Sequence, residues 1–117
     1  MSDFKMIIVM RKDLNMRKGK LVAQGAHAAV GLTLENLDHV EVKAWLASSF
    51  KKICVYVESE QELLDVVAEA TRNGLLTKKI IDAGHTEFHG VPTLTCAAIG
   101  PAGDAQLKPV TGHLKLM

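Results

Sequence analysis

The segment from Arg11 to Gly31, RKDLNMRKGKLVAQGAHAAVG, has the residue types needed to bind an anion or to stabilise a negatively charged intermediate. It contains a single acid, Asp13, and five basic side chains: Arg11, Lys12, Arg17, Lys18 and Lys20. The residues from about Lys18 onwards predict a helix. The unbonded N–H groups of its first turn would add to the positive potential of the basic loop.

The predicted helix has two chemically different faces. Its polar residues Lys20, Gln24 and His27 are spaced i, i+4 and i+7, which predicts one row along the helix. The opposite face would be formed by small and apolar residues, namely Leu21, Gly25, Ala28, Ala29 and Leu32. The pattern fits the wall of a binding site, and it fits equally well a solvated face of an ordinary amphipathic helix.

A second polar segment, DAGHTEFHG, follows a predicted strand that ends at Asp82. Ligands of open α/β sheets bind beyond the carboxyl ends of parallel strands, which would place Asp82 and Thr86 near the basic loop. An aspartate can orient a hydroxyl or activate water, and lysines can stabilise an oxyanion. The pair of segments therefore favours hydrolysis of an ester carried on a polyanion. The alternative is an aspartate that only caps its own turn.

Metal and cofactor motifs are incomplete in this sequence. His85 and His89 are four residues apart, but the surrounding glycine and proline residues do not suit a helical metal-binding pair. Cys54 and Cys96 lie in separate apolar runs without a CxxC pattern. The sequence also lacks the phosphate-binding P-loop, GxGxxG and GxSxG patterns. We therefore expect no metal and no cofactor.

Length and composition restrict the class of protein. A chain of 117 residues with 48% hydrophobic residues predicts one domain, residues 1–117, with a substantial core. The formal net charge is only +1, so anion binding has to come from local clustering of cations. Cysteines in apolar runs suit reduced thiols, and neither a membrane-spanning run nor a signal-peptide pattern is visible. We expect a soluble cytoplasmic protein that does not associate with membranes.

Hydrophobic periodicity predicts an α/β fold with the element order β-α-α-β-α-β-β-α. Strands are predicted at residues 5–10, 52–57, 75–82 and 93–99, with the last closed by Gly100-Pro101. Helices are predicted from residue 18 or 19 to about 31 or a little beyond, and at 35–50, 60–73 and 103–108, followed by a tail of alternating character over 110–117. Ser59 and Glu62 form a capping-box pattern at the start of the third helix. We expect a mostly parallel sheet of about four strands, with the last two paired antiparallel.

Four segments, in order, resemble the archaeal and eukaryotic type of peptidyl-tRNA hydrolase. They are DLNMRKGKLVAQGAHAA (13–29), DAGHTEF (82–88), TCAAIGP (95–101) and VTGHLKLM (110–117). The resemblance covers essentially the whole chain. It implies a three-layer α/β/α sandwich around a four-stranded mixed sheet, often in a homodimer. It also implies metal-independent cleavage of the ester that joins a peptide to tRNA, which recycles tRNA from stalled translation.

The resemblance also implies which residues act. Family residues align with Lys18, Lys20, Gln24, His27, Asp82, Thr86 and Thr95, of which Thr95 is indicated by the resemblance alone. We expect Lys18, Asp82, Thr86 and Thr95 to be catalytic. Lys18 would hold a phosphate or polarise the carbonyl, Asp82 would act as base with Thr86 positioning the water, and Thr95 would support them.

The tRNA would be bound by six further polar residues in or beside the first two segments. They are Lys12, Arg17, Lys20, Gln24, His27 and His85, with His27 orienting its neighbours. The family usually has Arg and Gln where this chain has His85 and Glu87. The alternatives are a non-catalytic tRNA or RNA-end binder, a small-ligand regulatory module, and an esterase on the same fold with another acyl substrate.

Overall fold

A computed structural model describes residues 3–85 and 87–117. Over these described residues the chain forms an α/β fold with a mixed sheet of five strands and four α-helices. The strands are β1 (Lys5–Arg11), β2 (Lys51–Val57), β3 (Thr77–Asp82), β4 (Thr93–Ala102) and β5 (Lys115–Leu116). The helices are α1 (Lys18–Glu35), α2 (Val40–Leu46), α3 (Glu60–Arg72) and α4 (Asp104–Thr111), with a 3-10 helix at Lys12–Leu14. None of the helices in the described residues is long and apolar enough to cross a membrane.

The sheet has the strand order β3-β4-β1-β2-β5. Strands β1 and β2 are parallel, whereas β4 is antiparallel to both of its neighbours, β1 and β3. Strand β3 therefore runs in the same direction as β1. The carboxyl ends of β1 and β3 reach the same edge of the sheet, which brings the basic loop and Asp82 to that edge. The antiparallel pairing predicted for the last two of the four expected strands is confirmed.

The fifth strand corrects the prediction of four. The sequence predicts a tail of alternating character over residues 110–117 without a strand in it, but α4 continues to Thr111, and Lys115–Leu116 then pairs antiparallel with β2. The backbone N–H of Met117 also donates to the carbonyl of Cys54 at 3.0 Å. A strand of two residues is too short for a hydrophobic alternation to reveal it, because its position depends on the strand beside it.

Several predicted bounds were also wrong. Strand β4 does not close at Gly100-Pro101 but continues to Ala102, which pairs with Lys5 beyond an irregularity in the register. Such an irregularity lets a strand contain residues that otherwise signal a turn. Helix α1 continues to Glu35, a few residues beyond residue 31, and Leu32, expected on its apolar face, is fully buried. That extension leaves only Val40–Leu46 for α2 within the predicted range 35–50. Strand β3 begins at Thr77 rather than at residue 75.

Strand β1 is buried on both faces, as a continuous apolar run predicts. On one face Ile7 and Val9 belong to a cluster with residues of α3 and α4, including Leu63. On the other face Met6, Ile8 and Met10 belong to a second cluster with residues of α1 and α2, namely Ala28, Leu32 and Trp45. Both faces of the strand thus contribute to the core, and α1 packs against the second of them.

The N-terminus of α3 confirms the capping signal read from the sequence. The Ser59 hydroxyl accepts a hydrogen bond from the backbone N–H of Glu62 at 3.0 Å. The Glu62 carboxylate accepts from the N–H of Glu58 at 2.7 Å rather than from Ser59 itself. The helix ends one residue before Asn73, and Gly74 has a φ of 76°. These local signals fix the helix because each acts within about four residues of the helix end.

Replacing Leu32 by Ala tests the contribution of α1 to the core. Leu32 is fully buried, and we expect Leu32→Ala to lower the free energy of unfolding by about 2–5 kcal/mol. The matched change Leu37→Ala, in the turn after α1 at a side chain that is 48% exposed, should cost about 1 kcal/mol or less. Urea unfolding followed by circular dichroism measures both. Equal losses would contradict the assigned burial.

Candidate active site

The carboxylate of Asp82, the last residue of β3, lies against two side chains of α1. Its Oδ1 accepts a hydrogen bond from Lys20 Nζ at 2.9 Å and one from Gln24 Nε2 at 3.3 Å. Lys20 and Gln24 are one helical turn apart, so both side chains point towards the same strand end. The structure therefore brings together three of the residues selected from the sequence, and it does so at the edge of the sheet reached by β1 and β3.

Thr95 extends this contact network into the sheet. Its hydroxyl donates to Gln24 Oε1 at 2.6 Å, and both side chains are buried. This bond leaves the amide nitrogen of Gln24 to face Asp82, so β4, α1 and β3 are linked in one chain of hydrogen bonds. The amide can satisfy both partners only in this orientation. Thr95 thus reaches Asp82 through Gln24.

The position of Gln24 corrects the expected polar row on α1. Gln24 is only 2% exposed and lies in line with the buried residues Ala28 and Leu32, whereas His27 is exposed to solvent. The helix is therefore rotated so that a polar side chain enters the core beside the sheet. Burial of an amide is costly unless it is hydrogen-bonded, and Thr95 and Asp82 provide these bonds. His27 lies outside the network.

The loop that follows Asp82 is held close to the strand by backbone contacts. The N–H of Gly84 donates to Asp82 Oδ2 at 2.8 Å, and the N–H of Gly90 donates to the Gly84 carbonyl at 2.7 Å. Gly84 has a φ of 87°, and a Cβ at this position would lie 2.3 Å from the Val91 carbonyl oxygen. Only glycine fits such a turn. Thr86, expected to be catalytic, lies outside the described residues.

The same contacts determine the charge of Asp82. The hydrogen bond from Lys20 holds the pKa of the Asp82 carboxyl below its usual value, and the bonds from Gly84 and Gln24 act in the same direction against the opposing effect of burial. The side chains of Lys20 and Asp82 are 14% and 15% exposed. Asp82 is therefore ionised at neutral pH. A carboxylate with a low pKa is a weak general base, but it is a strong hydrogen-bond acceptor.

Arg11 has a different role from the one that its place in the basic segment suggests. It is buried, and its guanidinium donates to both carboxylate oxygens of Asp13, at 3.2 and 2.7 Å, and to the Leu94 carbonyl at 3.0 Å. Its Nη1 also lies 3.7 Å from Glu60 Oε1. These contacts tie the start of the basic loop to β4 and α3. Arg11 therefore supports the loop rather than presenting a cation to a ligand.

The other selected cations lie at the surface around the start of α1. Lys18 is the first residue of the helix and is exposed, as are Lys12 and the 89%-exposed side chain of Arg17. Lys12 Nζ lies 4.3 Å from the centre of the Tyr56 ring, and Arg17 pairs with Glu87. Residue His85 is exposed in the loop after β3. Lys12, Arg17 and Lys18 thus follow the carboxyl end of β1, at the same edge of the sheet as Asp82.

Phe88 is a residue to which the sequence analysis assigned no role. Its ring centre lies 5.7 Å from Lys20 Nζ, within the range of a cation–π contact, and the ring packs partly buried against the core cluster below α1. A lone aromatic residue in a polar loop was the signal that could have indicated it. In residues 3–85 and 87–117, we find no group of three or more His, Cys, Asp or Glu side chains that could hold a metal ion.

Comparison with known proteins agrees with the resemblance carried by these segments. The family described as peptidyl-tRNA hydrolase PTH2 matches residues 4–117. The chain belongs to this family. It is 45% identical over 115 residues to the peptidyl-tRNA hydrolase of Methanocaldococcus jannaschii, covering 97% of this chain and 99% of that protein. It is 42% identical over 118 residues to the peptidyl-tRNA hydrolase of Thermococcus onnurineus, covering 97% and 98%.

In this PTH2 chain, the link between Lys20 and Asp82 can be measured directly. We expect Lys20→Met to raise the pKa of Asp82, because the change removes the main contact that lowers it and retains the burial that raises it. Carboxyl ¹³C chemical shifts followed against pH report this pKa. Lys78→Met is the matched control, since Lys78 pairs with Glu35 at 2.6 Å elsewhere. An unchanged Asp82 pKa in Lys20→Met would contradict the geometry.

The pair also contributes to stability in a defined pH range. Since the pKa of Asp82 is lower in the folded state, its ionised form stabilises the fold above the ordinary aspartate pKa. This stabilisation is lost as the pH falls through the lowered folded pKa. The melting temperature of Lys20→Met should therefore fall less than that of the wild type as the pH is lowered. Thermal melts between neutral pH and about pH 3 would measure the difference.

Proposed function

We propose that this protein hydrolyses the ester bond between a peptide, or an N-blocked amino acid, and tRNA, which returns the tRNA to translation. The observation that carries the proposal is the Asp82 carboxylate, held by Lys20 and Gln24 at a sheet edge bordered by exposed cations. Relatives that match nearly the full chain are named peptidyl-tRNA hydrolases. The buried polar network supplies fixed groups for ester chemistry, and the exposed cations suit a polyanionic substrate.

The tRNA would bind through its backbone. Lys12, Arg17 and Lys18 are exposed around the start of α1, where the helix macrodipole adds positive potential. Contacts between such cations and phosphates are independent of sequence and weaken steeply with salt. His85 in the loop after β3 would extend this surface. We infer that these residues place the aminoacylated end of the tRNA beside Asp82.

The chemistry needs a water molecule aligned with the ester carbonyl. A carboxylate accepts about four hydrogen bonds, and among the described residues Lys20, Gln24 and Gly84 donate three to Asp82. We infer that a further acceptor position of Asp82 orients the attacking water, which fits the low pKa of Asp82 better than full proton removal. The water oxygen forms a bond to the carbonyl carbon of the ester, and the bond between that carbon and the ribose oxygen breaks. The ribose oxygen leaves as a hydroxyl with the proton released by the water.

Other residues would assist from defined positions. Lys18 would stabilise the oxyanion or hold a neighbouring phosphate, because it is exposed at the start of α1. Thr95 would fix the Gln24 amide, and thereby Asp82, through its 2.6 Å hydrogen bond. We retain Thr86 as a proposed partner of the water on the basis of the family alignment, and we propose that His27 contacts the substrate from the exposed side of α1.

Variants of Lys18 and Asp82 test the proposed activity. We expect Lys18→Ala and Asp82→Asn each to lower the rate of release of a labelled N-blocked amino acid from tRNA by about a hundredfold or more. The assay contains EDTA, so that metal-independent cleavage is measured. Lys43→Ala and Asp38→Asn are matched controls, because both side chains are exposed on the surface formed by α2 and the turn before it. Circular dichroism checks that all variants are folded.

Three results would contradict the proposal. Full activity in a folded Asp82→Asn variant would remove the aspartate from the reaction. Tight, salt-sensitive tRNA binding by the wild type without any cleavage would identify a binding protein instead. Cleavage of another acyl ester, with N-blocked aminoacyl-tRNA left intact, would leave the site in place and change its substrate.

We also propose the finer architecture and location implied by the family. The two core clusters on opposite faces of β1 support a three-layer α/β/α sandwich, and the contacts among all five strands support one domain over residues 1–117. The free thiols Cys54 and Cys96 suit a reducing compartment, and a role in translation suits the cytoplasm. Burial raises the pKa of Cys96 to about 11, so this thiol stays protonated at neutral pH.

A homodimer is the assembly that we propose, and an apolar groove between α1, α2 and β2 supports it. The groove encloses about 640 Å³, and its lining includes Val22, Val30, Leu34, Trp45, Phe50 and Met117. Three of these side chains lie on α1 and are 56–73% exposed, which is unusual for an isolated chain. Gly25 and Ala29 between them would let the helix of a second copy approach closely.

Val30→Glu tests this assembly. The side chain of Val30 is 56% exposed, so the charge should leave the fold intact and disrupt a dimer by placing a carboxylate in its apolar interface. Val91→Glu introduces the same charge at a 59%-exposed valine outside the groove and should leave the assembly unchanged. Sedimentation equilibrium measures the mass. A wild type that stays monomeric at high concentration would exclude the proposed dimer.

A further inference from the structure

Glu87 lies with its carboxylate against the start of α1. Its Oε2 accepts from the backbone N–H of Arg17 at 3.4 Å, and its Oε1 lies 3.7 Å from Arg17 Nε. The Glu87 side chain is only 19% exposed, whereas that of Arg17 is 89% exposed. The Glu87 carboxylate is therefore largely shielded from solvent, whereas the Arg17 side chain extends into it.

The pair changes the charge that the site offers to a substrate. Three cations, Arg17, Lys18 and Lys20, lie on the first turn of α1 or immediately before it. Lys20 is paired with Asp82, and Arg17 is paired with Glu87, so the two carboxylates offset two of the three positive charges. Since Asp82 belongs to the proposed reaction, Glu87 is the acid whose removal would increase the positive charge without altering the catalytic network.

We propose that Glu87 competes with a tRNA phosphate for Arg17 and thereby sets the affinity of the site for substrate and for released tRNA. The inference rests on the proposed function, because it takes tRNA as the ligand of these cations. A phosphate that contacts Arg17 displaces the Glu87 carboxylate or remains close to a like charge. Both arrangements weaken binding compared with a neutral side chain of the same shape.

The size of the effect follows from the charges involved. The Coulomb interaction between two unit charges about 6 Å apart, in surroundings between water and a protein surface, changes a binding constant by about three- to a hundredfold. Because Arg17 is largely exposed, solvent screening places the expected effect in the lower part of that range, at about three- to thirtyfold. Weaker binding of tRNA also means faster release of the product after hydrolysis.

Glu87→Gln is the direct test, since it removes the charge and retains the shape. Fluorescence anisotropy with deacylated tRNA should give a Kd about three- to thirtyfold lower than that of the wild type. The KM for N-blocked aminoacyl-tRNA should fall by a similar factor, while kcat stays the same or falls because product leaves more slowly. Glu69→Gln is the matched control, because Glu69 also pairs with an arginine, Arg72, but on α3. Its Kd and KM should equal those of the wild type.

Arg17→Ala, made in both backgrounds, separates competition from a structural effect. If Glu87 occupies Arg17, this change should weaken tRNA binding more in the Glu87→Gln protein than in the wild type. Equal losses in the two backgrounds, or an unchanged Kd in folded Glu87→Gln, would overturn the inference while leaving the hydrolase activity established by the wild-type assay. A wild type that neither binds nor cleaves tRNA would overturn the proposed function and this inference together.

Discussion

The ion pair between Lys20 and Asp82 is the contact on which the site depends. It joins the first turn of α1 to the carboxyl end of β3, and both side chains are about 15% exposed. Two charges so far removed from water are costly unless they are paired and hydrogen-bonded. Gln24 and Gly84 each donate a further hydrogen bond to the Asp82 carboxylate. The position of α1 over the sheet and the course of the loop after β3 are therefore both constrained by one carboxylate.

The same constraint accounts for the buried amide on α1. Lys20 at the start of the helix reaches the strand end, and a Cβ added at Gly25 would make ordinary contacts with Ile8 and Met10 of the sheet, 3.9 Å away. Gln24 then enters the core, where Thr95 satisfies its amide oxygen. The Asp82 carboxylate is hydrogen-bonded both from α1 and from its own loop. Such positioning suits a reaction in which a water molecule has to be aligned rather than strongly activated.

Local charge balance, rather than net charge, gives the surface its character. The chain carries a formal net charge of only +1, yet three exposed cations, Lys12, Arg17 and Lys18, lie together around the start of α1. The charge of Arg11 is offset by its ion pair with Asp13, and the charge of Arg17 is partly offset by Glu87. Attraction of a polyanion therefore depends on a few side chains. Affinity that comes from so few charges can be adjusted by a single carboxylate.

The sequence by itself determined the helices, four of the strands and the two segments that meet at the sheet edge, because periodicity and the Ser59 cap act over a few residues. The tertiary structure decided what depends on distant partners. It added β5 beside β2, turned Gln24 into the core, and placed Arg11 on the Leu94 carbonyl, which is 83 residues away. Hydrophobic periodicity specifies a face of a helix only to within a residue or so, whereas burial of one amide or guanidinium is decided by the strand packed against it.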